Sequence, residues 1–100
     1  MLYYLKVRVD HQRLTPEELW GQWEKEADAA LRAKAAGSIV ALYKVVGQRR
    51  VLVIVNVPSH DELDRALMDA LPLGHYEEVE EILPLREYEC FANDMKRRWK

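Results

Sequence analysis

Asn56-Val57-Pro58-Ser59-His60-Asp61-Glu62-Leu63, continued by Ala70-Leu71-Pro72-Leu73-Gly74-His75-Tyr76, is the stretch that decides the fold. Its first half leaves an apolar strand and enters a helix. Ser59 with Glu62 three residues later forms a capping box, whose side chains satisfy backbone N–H groups that the first helical turn leaves without partners. Leu63, Ala66, Leu67 and Ala70 then recur at helical spacing and form the inner stripe. Leu71-Pro72 ends the helix, because proline disfavours helical backbone in the residue before it.

Working outward, residues 50 to 57 form an apolar run joined through Gly47-Gln48-Arg49 to a second run over 38 to 46, which reads as a hairpin of central strands. Upstream, Thr15-Pro16-Glu17-Glu18 is another capping box with proline at the first helical position. Gly37 is its C-terminal stop, giving a helix of about 20 residues. Tyr3, Leu5, Val7 and Val9 alternate with Tyr4, Lys6 and Arg8, the period of a first strand. The last strand is predicted over 76 to 83.

Strand, helix, strand, strand, helix, strand is the order of an α+β, ferredoxin-like βαββαβ plait, an antiparallel sheet with two helices on one face. The central strands are apolar on both faces, so the face without helices needs a cover, and the simplest one is the same sheet of a second subunit. The expected organisation is one domain over residues 1–84 and a C-terminal extension over 85–100. The extension mixes Leu85, Tyr88, Phe91, Met95 and Trp99 with Lys96, Arg97, Arg98 and Lys100, which is too apolar for a free tail. It is expected to pack on a neighbouring subunit, its cations meeting Glu77, Glu78, Glu80 and Glu81.

The chain has 100 residues, with 15 basic and 17 acidic side chains. That near-balance argues against a nucleic-acid binder working through a large positive field. No apolar run approaches the roughly 20 residues that cross a bilayer, so no membrane partner is expected. Cys90, the lone cysteine, has no intramolecular partner for a disulfide, and the N-terminus enters a strand pattern directly; a cytoplasmic location is expected. The three histidines show no metal-ligand spacing, and no nucleophile elbow or phosphate-binding glycine loop is present.

Candidate chemistry gathers on the first helix. Trp20, Trp23, Ala27, Ala30 and Leu31 share a broad stripe, and Glu26 falls among Leu19, Ala29, Ala30 and Ala33. Glu26 reads either as a helix-edge carboxylate paired with a lysine or as an acid–base group with open space above it. Glu24 belongs with Glu17 and Asp28 on an acidic, solvated face. Lys6 is either an edge lysine that discourages aggregation or a cation for an anionic substrate. Tyr43 is either core or a stacking surface. Arg49 is a solvated hairpin residue or an anion clamp, and His75 a loop residue or part of a pocket.

These pieces together resemble the muconolactone Δ-isomerases, small lactone isomerases of aromatic catabolism. Beside the two quoted stretches, the resemblance rests on Met1-Leu2-Tyr3-Tyr4-Leu5-Lys6, the carboxylate-bearing first helix, Gly37 and Gly47, and covers roughly residues 1 to 85. It implies a cofactor-independent isomerase of muconolactone-type lactones that moves a ring double bond by proton abstraction and return. It implies Glu26 and Lys6 as catalytic residues, with Tyr43, Arg49 and His75 binding substrate, in a dimeric α/β barrel within a homo-oligomer as large as a decamer. The chain departs from the family pattern at Arg49 and Val51, where a tyrosine and an asparagine are usual, at Gly74-His75 and at Arg86-Glu87. Those changes predict an altered lactone preference or a lost reaction. The alternative is a barrel protein of the same superfamily that binds a small metabolite or acts as a dehalogenase or monooxygenase.

Overall fold

The computed structural model describes residues 1–11, 13–70 and 76–98, with backbone alone at residues 69 and 70. The predicted Leu71-Pro72 helix stop, His75, Trp99 and Lys100 lie outside the described residues. In chain order the elements are β1 (Leu2–Val9), α1 (Pro16–Ala36), β2 (Ile39–Lys44), β3 (Arg50–Asn56), α2 (His60–Arg65), β4 (Glu77–Leu85) and α3 (Tyr88–Arg97). After α2 the backbone continues as a π-helical turn over Ala66–Ala70. The sheet runs β2-β3-β1-β4 with every neighbouring pair antiparallel, which is the ferredoxin-like plait.

Local chemistry accounts for the boundaries. The Thr15 hydroxyl accepts from the Glu18 N–H at 3.2 Å and the Glu18 carboxylate accepts from the Thr15 N–H at 3.1 Å, so the first capping box is complete. Gly37 takes φ 91°, a left-handed geometry that side chains with a Cβ resist, and its N–H reaches the Lys34 carbonyl at 3.2 Å. At α2 the Ser59 hydroxyl accepts from the Glu62 N–H at 3.1 Å. Gly47 takes φ 74° in a turn that Gln48 closes by donating to the Val45 carbonyl at 3.3 Å. The N-terminal ammonium donates to the Val57 carbonyl at 2.8 Å, tying the start of β1 to the end of β3.

The two faces of the sheet differ. On the helix side Tyr3, Leu5, Val7, Val53, Val55 and Leu63 form the main buried cluster, with Ile39, Leu42, Val57 and Leu67 packed against it. A second cluster, Val9 and Leu19, is covered by Leu14, Trp23 and Tyr76. Leu5 is 1% exposed, and its burial contributes about 2 kcal/mol.

The open side carries Tyr4, Ile54 and Leu83 in register, followed by Lys6, Leu52 and Glu81 and then by Arg8, Arg50 and Glu78. The register slips between Lys6 and Val7, so Glu80 is the extra residue of a bulge. Arg8 donates to Glu78 at 2.5 Å, and Arg50 donates to Glu80 at 2.7 and 3.1 Å. The Arg50 hydrogen bond holds the Glu80 carboxyl below its ordinary range. Tyr4 is pushed up by burial and then by the charge and hydrogen bond of Glu81. Glu78 and Glu80, two of the acids expected to meet the tail, thus have partners inside their own subunit.

The C-terminal extension forms a helix, α3, which the sequence reading left unassigned. Tyr88, Phe91 and Met95 share one stripe, yet α3 buries none of its residues. The molecule measures 60 Å along its longest axis, and the radius of gyration is 16.0 Å. A compact domain of this length has a radius near 13 Å. No helix among the described residues is long and apolar enough to cross a membrane.

Candidate active site

Between α1 and the helix side of the sheet lies a cavity of about 680 Å³, open on one side. Its floor is Leu5, Val7 and Val9 from β1 with Val51, Val53 and Val55 from β3, and Leu63 of α2 with Ala66 and Leu67 of the π-helical turn borders one end. α1 forms the roof, where the short side chains of Ala27, Ala30 and Ala33 leave space between the larger Trp20, Trp23 and Leu31. The volume falls within the range of about 300–1,000 Å³ common to small-molecule sites.

Into these apolar walls project two carboxyl groups from different elements. Glu26, on α1, is only 9% exposed. Glu77, the first residue of β4, pairs in register with Val9 and so lies on the helix side. The two are hydrogen-bonded to each other, and Glu77 is pushed up from its ordinary 4.5 to about 8, first by burial, then by the hydrogen bond to Glu26 and by the charge of Glu26. Burial and the adjoining Glu26 carboxyl favour the protonated, donating form of Glu77, because two carboxylates in contact repel in an apolar cavity. Lys44 also borders the cavity. Its ammonium donates to the Val45 carbonyl at 2.9 Å and to the Gln48 carbonyl, and lies 5.9 Å from the centre of the Trp23 ring. Trp23 in turn stacks on Trp20 with ring centres 6.0 Å apart. Glu24 borders the opening and is exposed.

Of the residues singled out in the sequence, Glu26 lies inside the cavity and Tyr43 borders it from the edge strand, 67% exposed. Lys6 is on the opposite face of the sheet, in register with Leu52 and Glu81, so a single subunit does not bring it to Glu26. Arg49 is exposed at the end of the hairpin, where its carbonyl accepts from the Val9 N–H at 2.8 Å; it does not line the cavity. His75 lies outside the described residues.

Glu77 was missed as a site residue, having been grouped with Glu78, Glu80 and Glu81 as acids that meet the cationic C-terminal extension. The signal available was parity: Glu77 and Val79 alternate to one side of the strand while Glu78 points to the other. Among the described residues no three His, Cys, Asp or Glu side chains gather in a way that would hold a metal ion.

This geometry has relatives. The profile of the muconolactone delta-isomerase family matches residues 1–90. A crystal structure of muconolactone isomerase superposes with a TM-score of 0.75 and 26% sequence identity, covering 87% of this chain and 90% of that one. No curated protein matches the sequence.

Proposed function

The chain belongs to the muconolactone delta-isomerase family, and from that premise we propose that it shifts the ring double bond of a muconolactone-type lactone, without a cofactor, with Glu26 as the base. The observation that carries this reading is a carboxyl group 9% exposed inside an apolar cavity of about 680 Å³. Glu26 takes a ring proton from the carbon beside the lactone oxygen, and the electrons of the broken C–H bond enter the conjugated ring as a dienolate. A proton returned at the far end of that system completes the shift, so the reaction is redox-neutral and needs only a base, an acid and a dry site.

Tyr43, at the cavity edge, offers a flat surface to the ring, and the family resemblance makes His75 a proposed anchor. Lys6 and Arg49 stand away from the cavity of their own subunit, so any contact they make with substrate depends on the oligomer. That oligomer is proposed to form by burying the open face of the sheet, with Tyr4, Ile54 and Leu83 against a second copy, as in a dimeric α/β barrel. A cytoplasmic role in aromatic catabolism is the matching biological context.

The test is Glu26→Gln, which keeps the shape and removes the base. Turnover of muconolactone and its methyl- and chloro-substituted relatives, followed by double-bond migration and solvent deuterium incorporation, should fall about 10²-fold or more. Asp28→Asn, an exposed change on the same helix, should leave turnover within about twofold of the unmodified protein. Equal loss in both variants would overturn the assignment. No exchange with any lactone would favour a protein that only binds a small metabolite.

A further inference from the structure

Resting on the isomerase reading, we propose that Glu26 and Glu77 act as one two-carboxyl unit, in which Glu77 is a second catalytic residue that donates a proton while Glu26 accepts one. The two side chains come from elements far apart in the chain, α1 and the start of β4, and converge in the same cavity. They are hydrogen-bonded there, in surroundings that penalise a second negative charge. The elevated titration of Glu77 agrees with this arrangement.

Among the described residues that line the cavity, two other charged side chains stand beside the pair. From α1 comes Glu24, exposed at the opening; from β2 comes Lys44, whose ammonium is held by the Val45 and Gln48 carbonyls. Tyr76, the residue before Glu77, packs against the cluster of Val9 and Leu19. The described lining residues of β1, β3 and α2 are all apolar.

A double-bond shift removes a proton at one carbon and adds one at another, and a single carboxylate on a rigid helix has to serve both positions. Two carboxyls divide the task. The C–H bond at the first carbon breaks as an O–H bond forms on Glu26. The O–H bond of Glu77 breaks as a C–H bond forms at the second carbon. The substrate loses one proton and gains one, and the charge of the pair is unchanged. Passage of the proton from Glu26 to Glu77 through their hydrogen bond restores the starting state. This division predicts that abstraction and delivery can be separated by mutation.

The full-length protein, labelled with ¹³C at glutamate side-chain carboxyls, would be titrated by NMR alongside Glu77→Gln and Glu26→Gln. The expected result is a carboxyl signal titrating near 8 in the unmodified protein and absent from Glu77→Gln, with a lower titration for Glu77 in Glu26→Gln. In the lactone assays Glu77→Gln should retain deuterium exchange at the first carbon within a few-fold, yet lose about 10²-fold in double-bond migration. The proposal is overturned if every glutamate of the unmodified protein titrates in the ordinary carboxylate range, or if Glu77→Gln leaves the ratio of exchange to migration unchanged. Absence of exchange with every lactone, beside an elevated signal that Glu77→Gln removes, would refute the isomerase reading and leave the proton-sharing unit in place for another substrate.

Discussion

Replacing Glu77 by glutamine should change how stability depends on pH, whatever reaction the protein performs. In the unfolded chain Glu77 releases its proton near 4.5, whereas in the folded cavity it keeps it to about 8. Between those values the folded state binds the extra proton, so raising pH favours unfolding. The contribution of this group is fully present below about 4.5 and is lost as pH passes 8.

Each unit of that interval is worth about 1.4 kcal/mol, so the ceiling is about 5 kcal/mol. Glu77 is partly accessible to water, and half the ceiling, about 2–3 kcal/mol, is the expected loss between pH 5 and 8. Urea denaturation at fixed protein concentration measures it. With a slope of about 1–1.5 kcal/mol per molar, the midpoint of the unmodified protein should drop by about 2 M urea across that range. Glu77→Gln stays neutral and preserves a donor for Glu26, so its midpoint should fall much less. Groups other than Glu77 that titrate in the same window are common to both proteins, and the difference between the two curves isolates the pair. Parallel curves would refute the argument that Glu77 is held neutral beside Glu26.

Val53 and Ile54 are neighbours on β3 that face opposite sides of the sheet, Val53 being 8% exposed in the core. Val53→Asp should cost about 3 kcal/mol or more in folding stability, and Ile54→Asp should instead lower the mass seen by light scattering; a monomeric unmodified protein would refute the sheet-to-sheet assembly. Removal of residues 86–100 should lower the oligomer mass or the melting temperature by several degrees, because the stripe of Tyr88, Phe91 and Met95 then loses a partner subunit, and no change in either would show that α3 has no structural role. Lys44 is the only cation among the described cavity-lining residues, so a lactone methyl ester should show a KM about tenfold below that of its free acid; the opposite order would mean that a cation reaches the cavity from a second subunit.

Much of the plait is written locally. Thr15 and Glu18, Ser59 and Glu62, Gly37 and Gly47 act through hydrogen bonds and backbone angles that span three or four residues, so the starts of α1 and α2, the end of α1 and the hairpin were readable without coordinates. The alternation in β1 likewise separated Leu5 and Val7 from Lys6 and Arg8. Alanines around Glu26 marked a helix face with room above it. The helical spacing of Tyr88, Phe91 and Met95 was also present, but a stripe with no surface in its own domain gave no packing context in which to read it.

What the coordinates added depends on contacts between distant segments. Glu77, Val79 and Glu81 have the same parity in the chain, yet the bulge opposite Lys6 and Val7 sends Glu77 and Val79 toward the helices and Glu81 away from them. No period of two can show where a strand slips by one residue. The sheet likewise places Lys6 behind the wall that Glu26 faces, separating two residues that sequence reasoning had joined in one site. Alanines leave room above the valines, and α1 is seated on the sheet through the cluster of Val9 and Leu19 with Leu14, Trp23 and Tyr76 packed against it, contacts between segments far apart in the chain. Capping and alternation are short-range effects of the backbone, whereas a shared proton between α1 and β4 exists only after the whole sheet has closed.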